Sequence, residues 1–116
     1  MERPKMRMRM KVWLEDADGT AFGMGGAALL REVERTGSLA GAARELGMSY
    51  RAAWGRLKKT EAGLGVALVE KKGGNKAGYR LSVFGRELLE AFEAWDARVR
   101  AEAERGAREL LPLDFD

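Results

Sequence analysis

The side chains best suited to chemistry in this sequence are cations, and they gather in two stretches. Residues 44–80 carry nine lysines and arginines against three carboxylates, and residues 1–11 carry five against one. The remaining segments, 12–43 and 81–116, are both acidic, although the whole chain has a formal charge of +3. A local positive potential attracts a polyanion, so duplex nucleic acid is the first partner to test.

Other kinds of chemistry lack their usual residues. The chain contains no histidine and no cysteine, which removes thiolate zinc sites, disulfides and the commonest general base. The carboxylates fall mostly on predicted helix surfaces and do not converge. We therefore expect no catalytic residue, no metal site and no cofactor, and an enzyme is the weakest interpretation.

The strongest candidates for DNA contact stand at the start of a predicted helix. Ser49 is a good N-cap, and Tyr50 and Arg51 follow it at the helix end that approaches base edges in such proteins. Arg51 could pair with guanine O6 and N7, whereas Ser49 and Tyr50 suit phosphate contacts better. A capped, solvated helix surface is the plain alternative.

More candidates follow along this helix and in the basic hairpin after it. Trp54 lies at the border of the apolar face, so it either covers the core or touches DNA. The helix cations cannot all point one way, and charge runs are commonly only solvated. The full predicted set is Ser49, Tyr50, Arg51, Trp54, Arg56, Lys58, Lys59, Lys71, Lys72, Asn75, Lys76 and Arg80.

Caps and glycines indicate the helices that must hold these residues. Serine is a favoured N-cap, and glycine commonly follows the last turn of a helix. Ala42 and Ala43 are small enough for two helices to cross closely. The predicted helices span residues 27–36, 39–46, 50 to about 62, and 83 to roughly 105.

Two β-hairpins are expected around the helices. Met6, Met8 and Met10 alternate with basic residues, which predicts one amphipathic strand from Met6 to Glu15. A turn at 16–19 returns this strand as 20–22, and a flexible joint follows at 23–26. The second, basic hairpin pairs 67–71 with 79–81 around a polar loop. No regular structure is predicted from Leu110 onward.

The order of elements decides the fold class. Helix, tight turn, capped helix and basic hairpin follow one another as in a winged helix-turn-helix. We predict a mainly α fold with small β-hairpins (α+β), comprising an N-terminal β-hairpin and a long C-terminal dimerisation helix. One core suits 116 residues, so residues 1–105 form one domain and 106–116 a C-terminal tail.

The last helix carries a long apolar stripe. Four helical turns of apolar surface exceed what so small a domain can cover, so we expect pairing with a second copy. A two-fold dimer would present its recognition helices to inverted half-sites about 34–36 Å apart. The predicted dimerisation residues are Phe84, Leu88, Phe92, Trp95 and Val99.

The segment from about Val12 to Phe92 resembles a known family. The matching stretches are Thr36-Gly37-Ser38-Leu39, Ala42-Ala43, Leu46-Gly47-Met48-Ser49-Tyr50, Ala53-Trp54, Leu68-Val69-Glu70, the loop from Gly73-Gly74 to Gly78, and Leu81-Ser82 with Gly85, Leu88 and Leu89. They are similar to the DNA-binding domain of the molybdate-responsive ModE regulators. LysR-type regulators share a related helix pair, but the stretch from Ser49 to Trp54 and the glycine-rich wing favour ModE.

The resemblance implies a homodimeric transcriptional regulator that places a recognition helix in the major groove and a basic wing beside it. ModE proteins often continue into molybdate-binding domains, for which this chain leaves no room, so we expect a stand-alone form that does not bind molybdate. With no long apolar run and no signal-peptide segment, we expect a cytoplasmic protein without a membrane partner. An architectural DNA-binding protein and a protein-interaction module are the alternatives.

Overall fold

The computed structural model describes residues 2–73 and 78–116. It confirms the predicted fold class, with four helices and three small two-stranded sheets among these residues. In chain order the elements are β1 (Lys5–Met6), β2 (Trp13–Glu15), β3 (Ala21–Gly23), α1 (Met24–Thr36), α2 (Leu39–Glu45), α3 (Tyr50–Leu64), β4 (Val69–Lys71), β5 (Tyr79–Leu81), α4 (Val83–Leu110) and β6 (Asp114–Phe115).

Serine caps fix the starts of α2, α3 and α4, as predicted. The hydroxyls of Ser38, Ser49 and Ser82 each accept a hydrogen bond from the backbone N–H three residues later, over 2.8 to 3.0 Å. Left-handed glycines end two helices, with φ of 74° at Gly37 and 72° at Gly65. Such bonds satisfy backbone groups that a helix end leaves without partners.

The start of α1 differs from the prediction. Residues 23–26 are not a flexible joint, because the helix already begins at Met24. The glycines here are needed for packing: a Cβ on Gly26 would lie 2.8 Å from the ring of Phe22, and one on Gly25 would overlap the guanidinium of Arg56. Close approach of neighbouring side chains outweighs the low helix propensity of glycine.

The core forms around α1, which packs against α2, α3, α4 and β5. Ala42 and Ala43 of α2 are fully buried together with Ala53 of α3, so small residues do allow the close helix crossing. The buried hydrophobic side chains are Phe22, Ala27, Leu29, Leu30, Val33, Leu39, Ala42, Ala43, Ala53, Leu57, Leu68, Val69, Leu81, Leu89 and Phe92. Full burial of each large member stabilises the fold by about 1.5–3 kcal/mol.

Two of the three sheets are the expected hairpins. In the first, β2 and β3 run antiparallel with Leu14 opposite Phe22. In the second, which we call the wing, β4 and β5 pair Val69 with Leu81, both of them buried. The third sheet joins the two ends of the chain, since β1 runs parallel to β6 with Met6 opposite Phe115.

The single strand predicted over Met6–Glu15 is wrong. Residues 7–12 belong to no strand, and we call residues 2–12 the N-terminal arm. Half-buried Met8, Met10 and Val12 alternate with exposed basic residues, so the expected two-sided character is kept. The arm runs beside α4, where Arg100 donates a hydrogen bond to the Met10 carbonyl at 3.4 Å. A helix offers no strand edge, which explains the missing ladder.

The end of the chain is also more ordered than expected. Helix α4 continues to Leu110, beyond the predicted end near Arg105. In β6 the backbone N–H of Asp114 donates to the Pro4 carbonyl, and that of Asp116 donates to Met6, both at 3.1 Å. Within the described part of the chain, no helix is long and apolar enough to cross a membrane.

Candidate nucleic-acid interface

Helix α3 has a core face and a solvent face. Ala53, Leu57 and Thr60 are buried, and the Thr60 hydroxyl donates a hydrogen bond to the Arg56 carbonyl at 2.9 Å. The other side is exposed and consists of Arg51, Ala52, Gly55, Lys58, Lys59 and Ala62. Helix α2 packs against α3, and the solvent face of α3 remains exposed.

The first turn of α3 presents three of the predicted contact residues together. Ser49, Tyr50 and Arg51 are consecutive and exposed, with Tyr50 51% accessible. Ser49 accepts the N–H of Ala52, so its hydroxyl proton is still able to donate to an acceptor outside the protein. This turn therefore combines hydrogen-bond donors with the positive end of a helix dipole.

Trp54 and Lys58 form a cation–π pair at the edge of the solvent face. The Lys58 Nζ lies 4.4 Å from the centre of the Trp54 ring and 3.1 Å from Glu61 Oε1. Trp54 is 36% exposed, so it borders both the core and solvent. The ring and the carboxylate together limit the directions that the lysine can take.

Arg56 points away from the face that carries Arg51. Its guanidinium lies against Gly25 at the start of α1, in a groove that Lys11 of the N-terminal arm also lines. Arg56 and Lys59 are both exposed, but Lys59 does not line this groove. The three predicted helix cations after Trp54 thus occupy different positions, as the helix geometry requires.

The wing is anchored to the turn between α1 and α2. The Tyr79 N–H donates to the Gly37 carbonyl at 2.9 Å, and Gly78 packs so closely on this carbonyl that a Cβ would overlap it. A Cβ on Gly37 would lie 2.8 Å from the Lys72 Nζ, so Lys72 sits at the C-terminal end of α1. A cation is favourable at that helix end.

The other predicted wing residues divide into two groups. Lys71 and Arg80 are exposed on the two strands, and the Arg80 Nε lies 2.9 Å from Glu70 Oε1. Asn75 and Lys76 lie outside the described residues. In the strand register Lys71 lies opposite Tyr79 and Arg80 lies opposite Glu70, so these two exposed cations are on opposite faces of the hairpin. Lys72 is turned toward α1.

The helix pair and the wing match a known family. Residues 26–86 match the model of the bacterial regulatory helix-turn-helix proteins of the LysR family. The chain belongs to this family. The match extends from α1 to the start of α4 and includes the wing, so this LysR-family chain contains the helix-turn-helix of these bacterial regulatory proteins.

Individual relatives agree with this assignment. Over 83 residues the chain is 39% identical to the molybdenum-pterin-binding protein MopB of Rhodobacter capsulatus, covering 70% of this chain and 31% of MopB. The chain therefore spans about a third of MopB's length. The matches confirm the predicted resemblance to ModE-like and LysR-type DNA-binding domains.

A solved structure shows the same fold. The DNA-binding domain of CbnR, crystallised in complex with DNA, superposes with a TM-score of 0.60 at 23% identity. The superposition covers 76% of this chain and 98% of the CbnR chain. At this identity the likeness concerns the fold alone.

In this LysR-family chain the apolar stripe of α4 is only partly exposed. Phe92 is 3% exposed and meets Phe22 edge-on with the ring centres 5.2 Å apart, so it belongs to the core of this chain. Phe84 and Trp95 are 40% and 38% exposed. Leu88 packs against the core, and Val99 is half-buried. Of the five predicted dimerisation residues, Phe84 and Trp95 are thus the exposed ones, and the dimerisation role of the set stays a prediction.

Glu61 is a further residue beside this candidate interface that the sequence analysis did not select. One carboxylate oxygen binds Lys58, and the other accepts the N–H of Leu68 at 2.7 Å and that of Val69 at 3.3 Å. This side chain therefore ties the C-terminal half of α3 to the start of the wing. A glutamate near a helix end is common, and only the fold shows which backbone it reaches.

Proposed function

We propose that this LysR-type protein is a ModE-like transcriptional regulator that binds duplex DNA as a homodimer. The N-terminal half of α3 enters the major groove, and the wing lies along the phosphates. The likeness to MopB supports the ModE-like assignment. Repression or activation would follow from where the DNA site lies relative to a promoter.

The solvent face of α3 carries this proposal. Arg51 stands beside Ala52 and Gly55, and a Cβ added at Gly55 would have no neighbour within 4 Å. Within the described residues, Arg51 makes no ion pair or side-chain hydrogen bond. Small neighbours let the helix backbone approach base edges, and a guanidinium without a carboxylate partner can pair with guanine.

Contacts to the backbone of DNA support this docking. Ser49 and Tyr50 can donate hydrogen bonds to phosphates from the start of α3. On the wing, Lys71 and Arg80 are exposed on adjacent strands, and the anchoring of Tyr79 to Gly37 holds both strands relative to α3. These contacts set the orientation in which Arg51 reads bases.

The exposed part of α4 supports the homodimer. Trp95 and Phe84 leave aromatic surface in solvent, and Val83 is almost fully exposed. A second copy would cover this surface and give the protein two recognition helices. Inverted half-sites would then be separated by about one turn of DNA.

Selection from a random duplex library tests the proposal. We expect an inverted repeat to be enriched and the complex mass to correspond to two copies per site. Uniform recovery of all sequences with steep salt dependence would instead support the architectural function, which the exposed basic side chains of the N-terminal arm favour. Absence of binding even at low salt would favour a protein-interaction module.

A further inference from the structure

A groove beside the recognition helix collects positive charge that its surroundings do not neutralise. The groove has a volume of about 200 Å³ and lies between the N-terminal arm, the first hairpin and the start of α1. Lys11 and Arg56 both line it, and none of the described residues that line it is acidic. The described ion pairs of the protein include neither of these two cations.

Arg56 is held in this groove by its surroundings. It lines a second, small cavity together with Leu57 and Gly26, so its stem packs at the edge of the core. Its guanidinium lies directly over Gly25, where any larger residue would displace it. The position of the charged group is therefore built into the packing of α1 against α3.

Among the described contacts, one carboxylate comes near the groove without lining it. The first turn of α1 has no acidic residue, and its N-cap, Gly23, supplies no side-chain acceptor. The Glu15 carboxylate is the acceptor for the Trp13 indole N–H at 2.7 Å, and it does not line the groove. Two exposed cations with no acidic residue among the lining residues leave a local positive potential, which favours binding of an anion.

We infer that this groove binds a tetrahedral oxyanion between Lys11 and Arg56. Both a DNA backbone phosphate and a free phosphate ion have this chemistry, and a guanidinium can bind two oxygens of either. In the DNA complex the phosphate would be one that flanks the bases read by Arg51, since Arg56 lies on another side of α3. This DNA contact rests on the proposed function, whereas binding of a free ion does not.

Titration of the full-length chain with inorganic phosphate tests the free ion. In wild-type protein, we expect saturable shifts of the Gly25 and Gly26 amide resonances. In Lys11→Gln and Arg56→Gln the apparent Kd should rise about two- to fivefold, the effect of losing one exposed charge pair. Arg98→Gln, which removes an exposed charge on α4 outside the groove lining, should leave Kd unchanged. Lys11→Gln lies on the arm and leaves the core intact, so it remains informative if Arg56→Gln unfolds.

Single methylphosphonate substitutions in the selected duplex test the DNA phosphate. Neutralising one flanking phosphate should weaken wild-type binding about fivefold, and Lys11→Gln should no longer respond at that position. The salt slope of this variant should fall by about one.

The outcomes separate the two sources. Amide shifts without a methylphosphonate effect assign the groove to a free oxyanion, and the reverse assigns it to DNA. If DNA binding is absent altogether, the proposed function fails while the phosphate titration still decides whether the groove binds an anion. If both the amide shifts and the flanking phosphate effect are absent, the inference is overturned.

Discussion

Two regions of this molecule are stabilised in different ways. One is the helix-turn-helix body, which comprises the elements from β2 to α4, and the other is the terminal extension, which comprises the N-terminal arm and β6. In the body, Leu29, Leu30 and Val33 of α1 are completely buried against the surrounding elements. In the extension, the N-terminal arm and β6 lie beside the C-terminal half of α4. They are held by backbone hydrogen bonds, by hydrogen bonds from Arg100 and Arg108 to backbone carbonyls, and by an ion pair of 4.0 Å between exposed Lys5 and Asp116. Exposed pairs contribute little, so we infer that stability resides in the body.

The largest contrast is expected on one helix, between two neighbouring aromatic residues. Phe92→Ala should reduce the free energy of unfolding by about 3–5 kcal/mol, because it opens a cavity in the body. Trp95→Ala should cost far less stability, since Trp95 is partly exposed, but it should weaken dimerisation. Urea unfolding and sedimentation equilibrium measure the two effects. Equal losses of stability would mean that Trp95 belongs to the core as well.

Two glycines of α4 sharpen the comparison. A Cβ on Gly85 would overlap the Leu68 carbonyl, whereas one on Gly106 would meet nothing within 4 Å. Gly85→Ala should therefore destabilise the body by about 2–3 kcal/mol. Gly106→Ala should stabilise the helix by about 0.5–1 kcal/mol. Thermal and urea unfolding of both variants check this, and a loss at Gly106 would reveal a close neighbour in the extension.

Asp96 marks the border between the two regions. It is 7% exposed, its buried Oδ1 has no hydrogen-bond partner among the described residues, and its Oδ2 lies 3.6 Å from the Arg100 Nη2. Asp96→Asn keeps the shape and removes a buried charge, while Arg100 is exposed enough for water to solvate it without a partner, so we expect stability to rise by about 1 kcal/mol. Exposed Glu109→Gln serves as the control and should change little. A loss of stability in Asp96→Asn would indicate a donor supplied by the arm.

The smallest expected effect concerns the first hairpin. The N–H of Thr20, chiefly, and that of Asp18 donate to the Asp16 carboxylate and lower its pKa below the ordinary value of 3.8. The stabilisation from these bonds is complete above that value and is lost as the pH falls through the lowered pKa. Carboxyl carbon NMR measures the midpoint. A midpoint at or above 3.8 would mean that the hairpin bonds are not kept in solution.

The same division explains which structural features the sequence predicted. Ser38, Ser49 and Ser82 predict three helix starts, because an N-cap hydroxyl accepts a hydrogen bond from a backbone N–H only three residues away. Gly37 likewise ends α1 by its own backbone conformation. The first turn of α3, with Arg51 on its exposed side, follows from such local signals. Most of the body could therefore be read without knowledge of distant contacts.

Features that depend on distant partners were missed or misplaced. Gly25 and Gly26 suggested a flexible joint, because the sequence does not show that the Arg56 guanidinium and the Phe22 ring pack against them. The arm alternates like a strand, yet it lies beside α4. The turning of Lys72 toward Gly37 and the ties made by Glu61 depend on the folded wing. Local periodicity cannot supply these partners.

The most direct test of the central claim compares Arg51→Ala with Arg105→Ala. Both variants remove one exposed arginine, but Arg105 pairs with Glu102 on the far half of α4. Competition binding of the selected site against random duplex, at two salt concentrations, gives the specificity ratio for each. We expect Arg51→Ala to lower this ratio about ten- to hundredfold and Arg105→Ala to preserve it. An unchanged ratio in Arg51→Ala would contradict base reading by α3.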